Sequence, residues 1–537
     1  MSAIAGIFNV DGKPADPRLL RAMADAARER GPDADGYWME GPAGLAFRLL
    51  ATTPEAFRER QPWSSDDGNI RLVFDGRIDN RSELTHAIEA SGGHLDEPTD
   101  LELVGRCFEL WGEDTWRRLL GDFAIVVMDR CQRKMFCARD PMGFKPLHYF
   151  FDGKRFLFAS ELIQILQDPD IAQIPNEGFL AECLAGGPFA RTETVICNVF
   201  RLEGGACLTV EGDRIKHRRY YYLERAKPIR FATYDDCADA LREVLFEAVR
   251  CRMRAPGDVA ANLSGGLDSS SIVCIAQELS RRGAVSNRVR AFSAVFSDPD
   301  ANESEFITEV ERTLALPVCR CTPFDPDSGY SAEWVRATLE LPRYPNSVML
   351  DGLDSMVVAW GSRVCLSGHG GDNTMNGSSA DLACLVRGAH PIRLIRALLY
   401  LRENIASGEV ERGLMHVVLR SAMWPLIPVA VERFVRGALG RDEGPSSAWL
   451  SWVEPSFARR HELVDRARAA SQEWVERPHG LQAIWYLQRD GWLTYGIEGA
   501  ERHAVRTGLE YRNPFCDLRV IEFVCGLAEE QLKRAGT

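Results

Sequence analysis

The residues of this chain best suited to chemistry lie together at Leu263-Ser264-Gly265-Gly266-Leu267-Asp268-Ser269-Ser270. Glycines and serines let main-chain N–H groups come close to an anion, and a following helix adds the positive end of its dipole. Asp268 can hold Mg²⁺ beside the phosphates of a nucleotide, and the hydroxyls of Ser264 and Ser269 can reach phosphate oxygens. No lysine follows the glycines, so this is not the Walker-type loop that handles a γ-phosphate. The chemistry expected is cleavage of ATP between its α- and β-phosphates.

Such a loop needs elements to hold it. Val259–Leu263 reads as a short buried strand. Ser269–Arg281 reads as a helix with Ile272, Val273, Ile275, Ala276 and Leu279 on one face, and Val289–Phe296 as the next strand. Strand, glycine turn, helix, strand is the order that sets a phosphate at a helix start.

The chain has 537 residues, enough for more than one core, and its 45% apolar and 26% charged content is that of a globular protein. A net charge of −13 argues against nucleic-acid binding by the whole molecule. The start has no basic region followed by an apolar core, and the longest uncharged apolar run, Ala422–Val431, contains two prolines and is too short to span a bilayer. A cytoplasmic location is the default expectation. The 15 cysteines are scattered without a zinc-type cluster, so reduced, mostly buried thiols are expected.

Two textures divide the chain. Residues 1–210 carry short β-type runs (Ile4–Val10, Ile70–Phe74, Phe123–Met128, Lys134–Ala138, Arg155–Ala159) with helices near Arg18–Arg28 and Leu101–Trp111, an α+β sandwich. Residues 230–537 open with an amphipathic helix, Tyr234–Arg252, then alternate strand and helix as an α/β parallel-sheet domain, with a helical extension after about Asp381.

The ordered motifs AGIFNVDG, Arg30-Gly31-Pro32-Asp33, Asp75-Gly76-Arg77-Ile78-Asp79-Asn80, GDFAIVVMDR, Ala138-Arg139-Asp140, Gly143-Phe144-Lys145-Pro146-Leu147 and Ala159-Ser160-Glu161 make the N-terminal half resemble a class II glutamine amidotransferase (Ntn) domain. With SGGLDS, Leu366-Ser367-Gly368-His369-Gly370-Gly371-Asp372 and Gly508-Leu509-Glu510-Tyr511-Arg512-Asn513-Pro514-Phe515, the C-terminal half resembles the ATP-binding (PP-loop) synthetase domain of the asparagine synthetase B superfamily. The resemblance implies a nucleotide site that also includes Ser293 and Gly368, with Asp268 and Asp372 as Mg²⁺ ligands.

Departures from the family narrow the function. Ser2 stands where the glutaminase uses cysteine. Asp75 replaces the asparagine of the oxyanion hole; an ionised carboxylate donates no hydrogen bond and repels a developing oxyanion. Arg77 replaces the glutamate that receives the glutamine amine, and Leu49 aligns near the arginine that holds its carboxylate; Asp100 keeps its place. This is read as a dead glutaminase serving as scaffold or docking surface. The GHGGD form of the second loop resembles lasso peptide cyclases, where asparagine synthetases carry glutamate and β-lactam synthetases tyrosine at the place of His369. Asn373 replaces a further family glutamate.

The resemblance therefore implies a cyclase that adenylates an Asp or Glu side chain of a leaderless lasso core peptide. The peptide's own N-terminal amine then closes a macrolactam, gaining effective concentration. His369 would take the proton of the attacking amine. A leader peptidase and a leader-binding protein are the implied partners. The Arg-rich stretch from Asp381 to Asp490 is the candidate peptide cradle, with Glu403 a possible orienter of His369. Glu303 reads equally as a nucleotide-side acid or an exposed helix start. The family lysine on the pyrophosphate side has no clear counterpart before Lys533-Arg534. An ammonia-dependent asparagine synthetase, a small-molecule lactam synthetase and a silent nucleotide-binding scaffold are the alternatives.

Overall fold

The structure, a computed structural model, describes residues 2–187, 190–223, 227–323, 330–341, 351–375, 452–467 and 491–527, with isolated positions between 376 and 451. The expected helical cradle, Glu403 and Lys533-Arg534 lie almost wholly outside the described residues.

The N-terminal half follows the order β1 (Ala3–Asn9), α1 (Pro17–Asp25), β2 (Ala34–Glu40), β3 (Ala43–Leu49), β4 (Trp63–Ser64), β5 (Ile70–Ile78), α2 (Arg81–Ala90) and α3 (Asp100–Trp111). It continues through β6 (Gly121–Asp129), β7 (Lys134–Arg139), β8 (His148–Phe151), β9 (Arg155–Ala159), α4 (Leu162–Ile165), α5 (Glu177–Leu184), β10 (Val199–Arg201), β11 (Ala206–Glu211) and β12 (Arg214–Arg219). Two six-stranded sheets form, ordered β10-β8-β9-β1-β3-β2 and β12-β11-β7-β6-β5-β4. Alternate residues of each point inward, so Ile4, Phe8, Leu45 and Phe47 meet Val73, Val126 and Met128 in a core between the sheets. Helices α2 and α3 cover one outer face and α1, α4 and α5 the other. The boundary expected at residue 210 falls inside the β11–β12 hairpin.

The C-terminal half begins with α6 (Tyr234–Arg252), capped by Thr233, whose hydroxyl accepts from the Asp236 N–H at 3.1 Å. Then come β13 (Val259–Asn262), α7 (Leu267–Arg281), β14 (Val289–Ala294), α8 (Ser304–Leu314), β15 (Val318–Cys321), α9 (Tyr330–Thr338), α10 (Asp351–Ala359), β16 (Val364–Leu366) and α11 (Gly371–Met375). A helix over Gly491–Thr507 leads into β17 (Glu510–Arg512), and a last helix spans Leu518–Gly526. The five strands run parallel in the order β15-β14-β13-β16-β17. The chain winds outward from β13 first to one side and then to the other. The crevice at the C-terminal ends of β13 and β16 is thus the topological switch point, where such sheets bind ligands. Among the described residues no helix is long and apolar enough to cross a membrane.

Candidate active site

Two loops meet at that crevice. The first leaves β13, turns at Gly265 with φ of +95°, and enters α7 with Gly266 as its N-cap. No side chain caps this helix, and first-turn N–H groups have no intrahelical acceptor, so they are placed for an anion. The loop is tied internally. Ser264 N–H donates to Ser269 Oγ at 3.0 Å, the two hydroxyls lie 2.9 Å apart, and Leu263 N–H donates to the Phe292 carbonyl at 2.8 Å. A side chain at Gly265 would strike Glu303, its Cβ lying 2.8 Å from the Glu303 Cβ, so Glu303 backs the loop at the start of α8. Ser293, 1% exposed near the end of β14, has a buried hydroxyl with no hydrogen-bond partner among the described residues, and Ser270 Oγ is in the same state. Leu267 is 87% exposed beside them.

The second loop, from Ser367 to Asp372, leans on the first. A Cβ at Gly368 would lie 2.6 Å from Ser269 N, and one at Gly371 would lie 2.1 Å from the Asp268 carboxyl carbon. Asp268 accepts the main-chain N–H of Asp372. Burial, and then the charge of Asp372, push the Asp268 carboxyl above its ordinary range. Two like charges held together beside an anion cradle fit a divalent cation, and Asp268 and Asp372 are the residues that would hold it. His369 sits in the same loop, its N–H donating to Ser367 Oγ at 3.1 Å. All ten nucleotide-side residues inferred from the sequence thus fall in or beside one crevice with His369 and Asp372.

Gly371→Ala should lower AMP formation by about 100-fold, because the added methyl displaces the Asp268 carboxylate by the order of an ångström. Its melting temperature should stay near that of the parent, since the atom displaced is the end of a flexible side chain. Steady-state AMP release and thermal unfolding on the same preparation check both halves.

A third group of residues lies under this crevice, joining Tyr511 of the Gly508–Phe515 motif to Asp351, Asp354 and His503, which the sequence reading missed. Tyr511 on β17 donates to Asp354 of α10 and accepts from Asn262 Nδ2 at 3.5 Å, while His503 Nε2 stands 2.9 Å from Asp351 Oδ1. Nothing in the spacing announces that these residues meet, because they come from four separate elements.

The surroundings of Ser2 are built differently. Ser2 N–H donates to Asp75 at 2.7 Å, and Ser2 Oγ accepts from Leu50 N–H at 3.3 Å. The other Asp75 oxygen accepts from Arg30 at 3.1 Å. Arg30 also pairs with Glu161 at 2.7 Å and with Glu501 of the C-terminal half at 2.8 Å. Arg77 is fully enclosed, held by Asp79 at 2.8 Å, Asp122 at 3.0 Å and Glu510 at 3.2 Å. Lys145 stands 3.4 Å from Glu501. Leu49 is buried in the apolar core between the two sheets, and Asp100 is committed to Ile78 N–H, Arg81 and Arg254. Charged side chains from both halves therefore fill the space around Ser2 and pair with one another.

Comparison with known proteins agrees with this division. The glutamine amidotransferase domain family matches residues 1–221, and the asparagine synthase family matches residues 240–537. Among curated proteins, asparagine synthetase (glutamine-hydrolyzing) 1 of Bacillus subtilis strain 168 is 27% identical over 319 residues, 59% of this chain and 49% of that protein. Asparagine synthetase (glutamine-hydrolyzing) 3 of the same organism is 30% identical over 263 residues, 49% of this chain and 42% of that protein. The aligned part of the chain thus spans about half the length of these relatives. A solved glutamine phosphoribosylpyrophosphate amidotransferase from B. subtilis aligns at a TM-score of 0.33 and 13% identity, over 65% of this chain and 94% of that one, too distant to carry an argument.

Proposed function

The chain belongs to the asparagine synthase family, with an N-terminal class II glutamine amidotransferase fold, and from that premise we propose that it is an ATP-dependent, AMP-forming amide ligase acting as a lasso peptide cyclase. The observation that carries the reading is the enclosure of Arg77 and Asp75 in ion pairs around Ser2. A glutamine side chain would have to displace a fully buried guanidinium and lie against a carboxylate with no donor to offer. The amine must then come from elsewhere, and a substrate that carries its own amine is favoured by effective concentration.

In the proposed sequence a carboxylate oxygen of a peptide Asp or Glu attacks the α-phosphorus of ATP, the Pα–O bond to the β-phosphate breaks, and pyrophosphate leaves. The N–H groups at the start of α7 and the hydroxyls of Ser264 and Ser293 orient the phosphates and the adenylate. Mg²⁺ bound by Asp268 and Asp372 would supply charge screening between phosphates and carboxylate. The peptide's N-terminal nitrogen attacks the acyl carbon, the bond to AMP breaks, and the amine proton passes to an imidazole nitrogen of His369. The reading takes a leaderless core peptide as substrate and a leader peptidase and leader-binding protein as companions. The curated relatives are named asparagine synthetases (glutamine-hydrolyzing), and with the space around Ser2 filled by ion pairs this gives a second reading, an asparagine synthetase that uses free ammonia.

The test incubates the protein and Mg-ATP with a leaderless core peptide, with aspartate plus ammonia, and with aspartate plus glutamine. Peptide mass and AMP are followed together. Loss of one water from the peptide in step with AMP supports the cyclase. AMP formed only with aspartate and ammonia replaces it with the second reading. Ser2→Ala should leave the rate unchanged with any productive substrate, and a glutamine-dependent rate that Ser2→Ala removes would overturn the closed pocket.

A further inference from the structure

The motif from Gly508 to Phe515 has so far no part in the chemistry, yet every turn of the His369 loop rests on it. The Arg512 carbonyl accepts Ser367 N–H at 3.0 Å, and Ser367 Oγ accepts His369 N–H at 3.1 Å. Cys516 Sγ donates to the His369 carbonyl at 3.7 Å. Gly370 has φ of +93°, and a Cβ there would lie 2.4 Å from Cys516 Sγ. Thr374 Oγ1 donates to the Phe515 carbonyl at 3.2 Å, tying the start of α11 to the same strip.

That strip has little to hold itself in place. Strand β17 is three residues long and, among the described residues, lies at the sheet edge and pairs on one side only. Besides the contacts of Tyr511 with Asp354 and Asn262, two buried side chains, Arg512 and Glu510, hold it. The Arg512 guanidinium donates to the carbonyls of Arg252 at 2.8 Å, Arg254 at 2.7 Å and Thr52 of the N-terminal half at 2.8 Å. One Glu510 oxygen accepts from Arg512 at 3.3 Å and the other from Arg77 at 3.2 Å. Arg77 is itself fixed by Asp79 and Asp122, both in the N-terminal sheet region. An unbroken chain of contacts thus runs from Arg77 through Glu510 and Arg512 to Ser367 and His369.

We propose that Arg77 and Glu510 are positioning residues for the Ser367–Asp372 loop. The side chain that closes the glutamine pocket has become the outer anchor of β17, and so of His369 and Asp372. The N-terminal half would then serve the reaction without supplying nitrogen. This rests on the ligase reading only for its kinetic half.

The test uses the full chain with Arg77→Lys, Glu510→Gln and the double variant. Arg77→Lys keeps a cation beside Asp79 and Asp122, so the fold survives. Hydrogen exchange is followed by mass spectrometry in peptides covering 363–375, 508–517 and 259–281. Each single variant should speed exchange in 363–375 by about tenfold, the scale of coupling along packed networks, with 259–281 unchanged. The double variant should be no faster than the faster single, because both act through one chain of contacts. With a productive substrate, kcat should fall about tenfold while KM for ATP stays within about twofold. Unchanged exchange in 363–375, equal acceleration in 259–281, or additive effects in the double variant would overturn the proposal. If no substrate yields AMP, the ligase reading fails, and the exchange data still decide this one.

Discussion

Asp268→Ala lowers AMP formation by about three orders of magnitude or more, since charge screening at a transferring phosphate is worth several kcal/mol and each 1.4 kcal/mol is tenfold. The variant should nevertheless fold, and its melting temperature should not fall below that of the parent. Asp268 is only partly buried, accepts one main-chain N–H from Asp372, and faces that residue's charge; burial and that charge together hold its carboxyl above the ordinary range. Removing it therefore relieves repulsion in the resting protein while deleting half of the cation site. Asp372→Asn should behave alike, with a higher Mg²⁺ requirement as its signature. Pyrophosphate release at saturating ATP, paired with thermal unfolding, reads both effects. Residual activity within tenfold of the parent would mean that ATP is not bound at this loop.

Arg30→Ala should destabilise the protein by roughly 3–5 kcal/mol, the cost of breaking a buried ion pair and stranding its partners. The case is severe because one guanidinium serves three carboxylates, Asp75 at 3.1 Å, Glu161 at 2.7 Å and Glu501 at 2.8 Å. Burial works against the charge of Arg30, but Glu501, Asp75 and Glu161 outweigh it and hold the group protonated. Arg502 would still serve Glu161 at 2.7 Å and Lys145 would still reach Glu501 at 3.4 Å. Asp75 would keep only the Ser2 N–H. Arg106→Ala is the matched control. Its partner Asp66 is 82% exposed at the side chain, and such pairs contribute less than about 1 kcal/mol. Urea unfolding of both variants checks the contrast, and equal midpoints would show that the buried network contributes no more than a surface pair.

Local patterning carried much of this structure. The helix Tyr234–Arg252 and the strand Arg155–Ala159 lie where periodicity places them. Helix α7 begins at Leu267, two residues before the expected start at Ser269, because Gly266 rather than a side chain ends the preceding turn. Strand β5 runs to Ile78, beyond the apolar run that ends at Phe74. Asp75 and Arg77 lie beyond that run, yet they pair in register with Ala124 and Asp122 of β6. Their ion partners make that possible, and those partners are out of any sequence window. Glu510 is 433 residues from Arg77, and Glu501 is 471 from Arg30. The motifs therefore lie where the structure forms the crevice at the ends of β13 and β16, whereas the joint between the halves, and the meeting of Tyr511 with Asp354 and His503 beneath the crevice, became visible only in three dimensions.

The distance between these partners also has a bearing on synthesis. A chain leaves the ribosome at about 5–20 residues per second, so Glu501 and Glu510 follow Arg30 and Arg77 by about 25–100 s. Throughout that interval Arg30 has Asp75 and Glu161 and Arg77 has Asp79 and Asp122, but each lacks the carboxylate that the C-terminal half brings to it. The face of the N-terminal half that meets Glu501 and Glu510 therefore stays open to water until they arrive. Closure of the joint between the halves then becomes a late event, timed by the opposite end of the polypeptide.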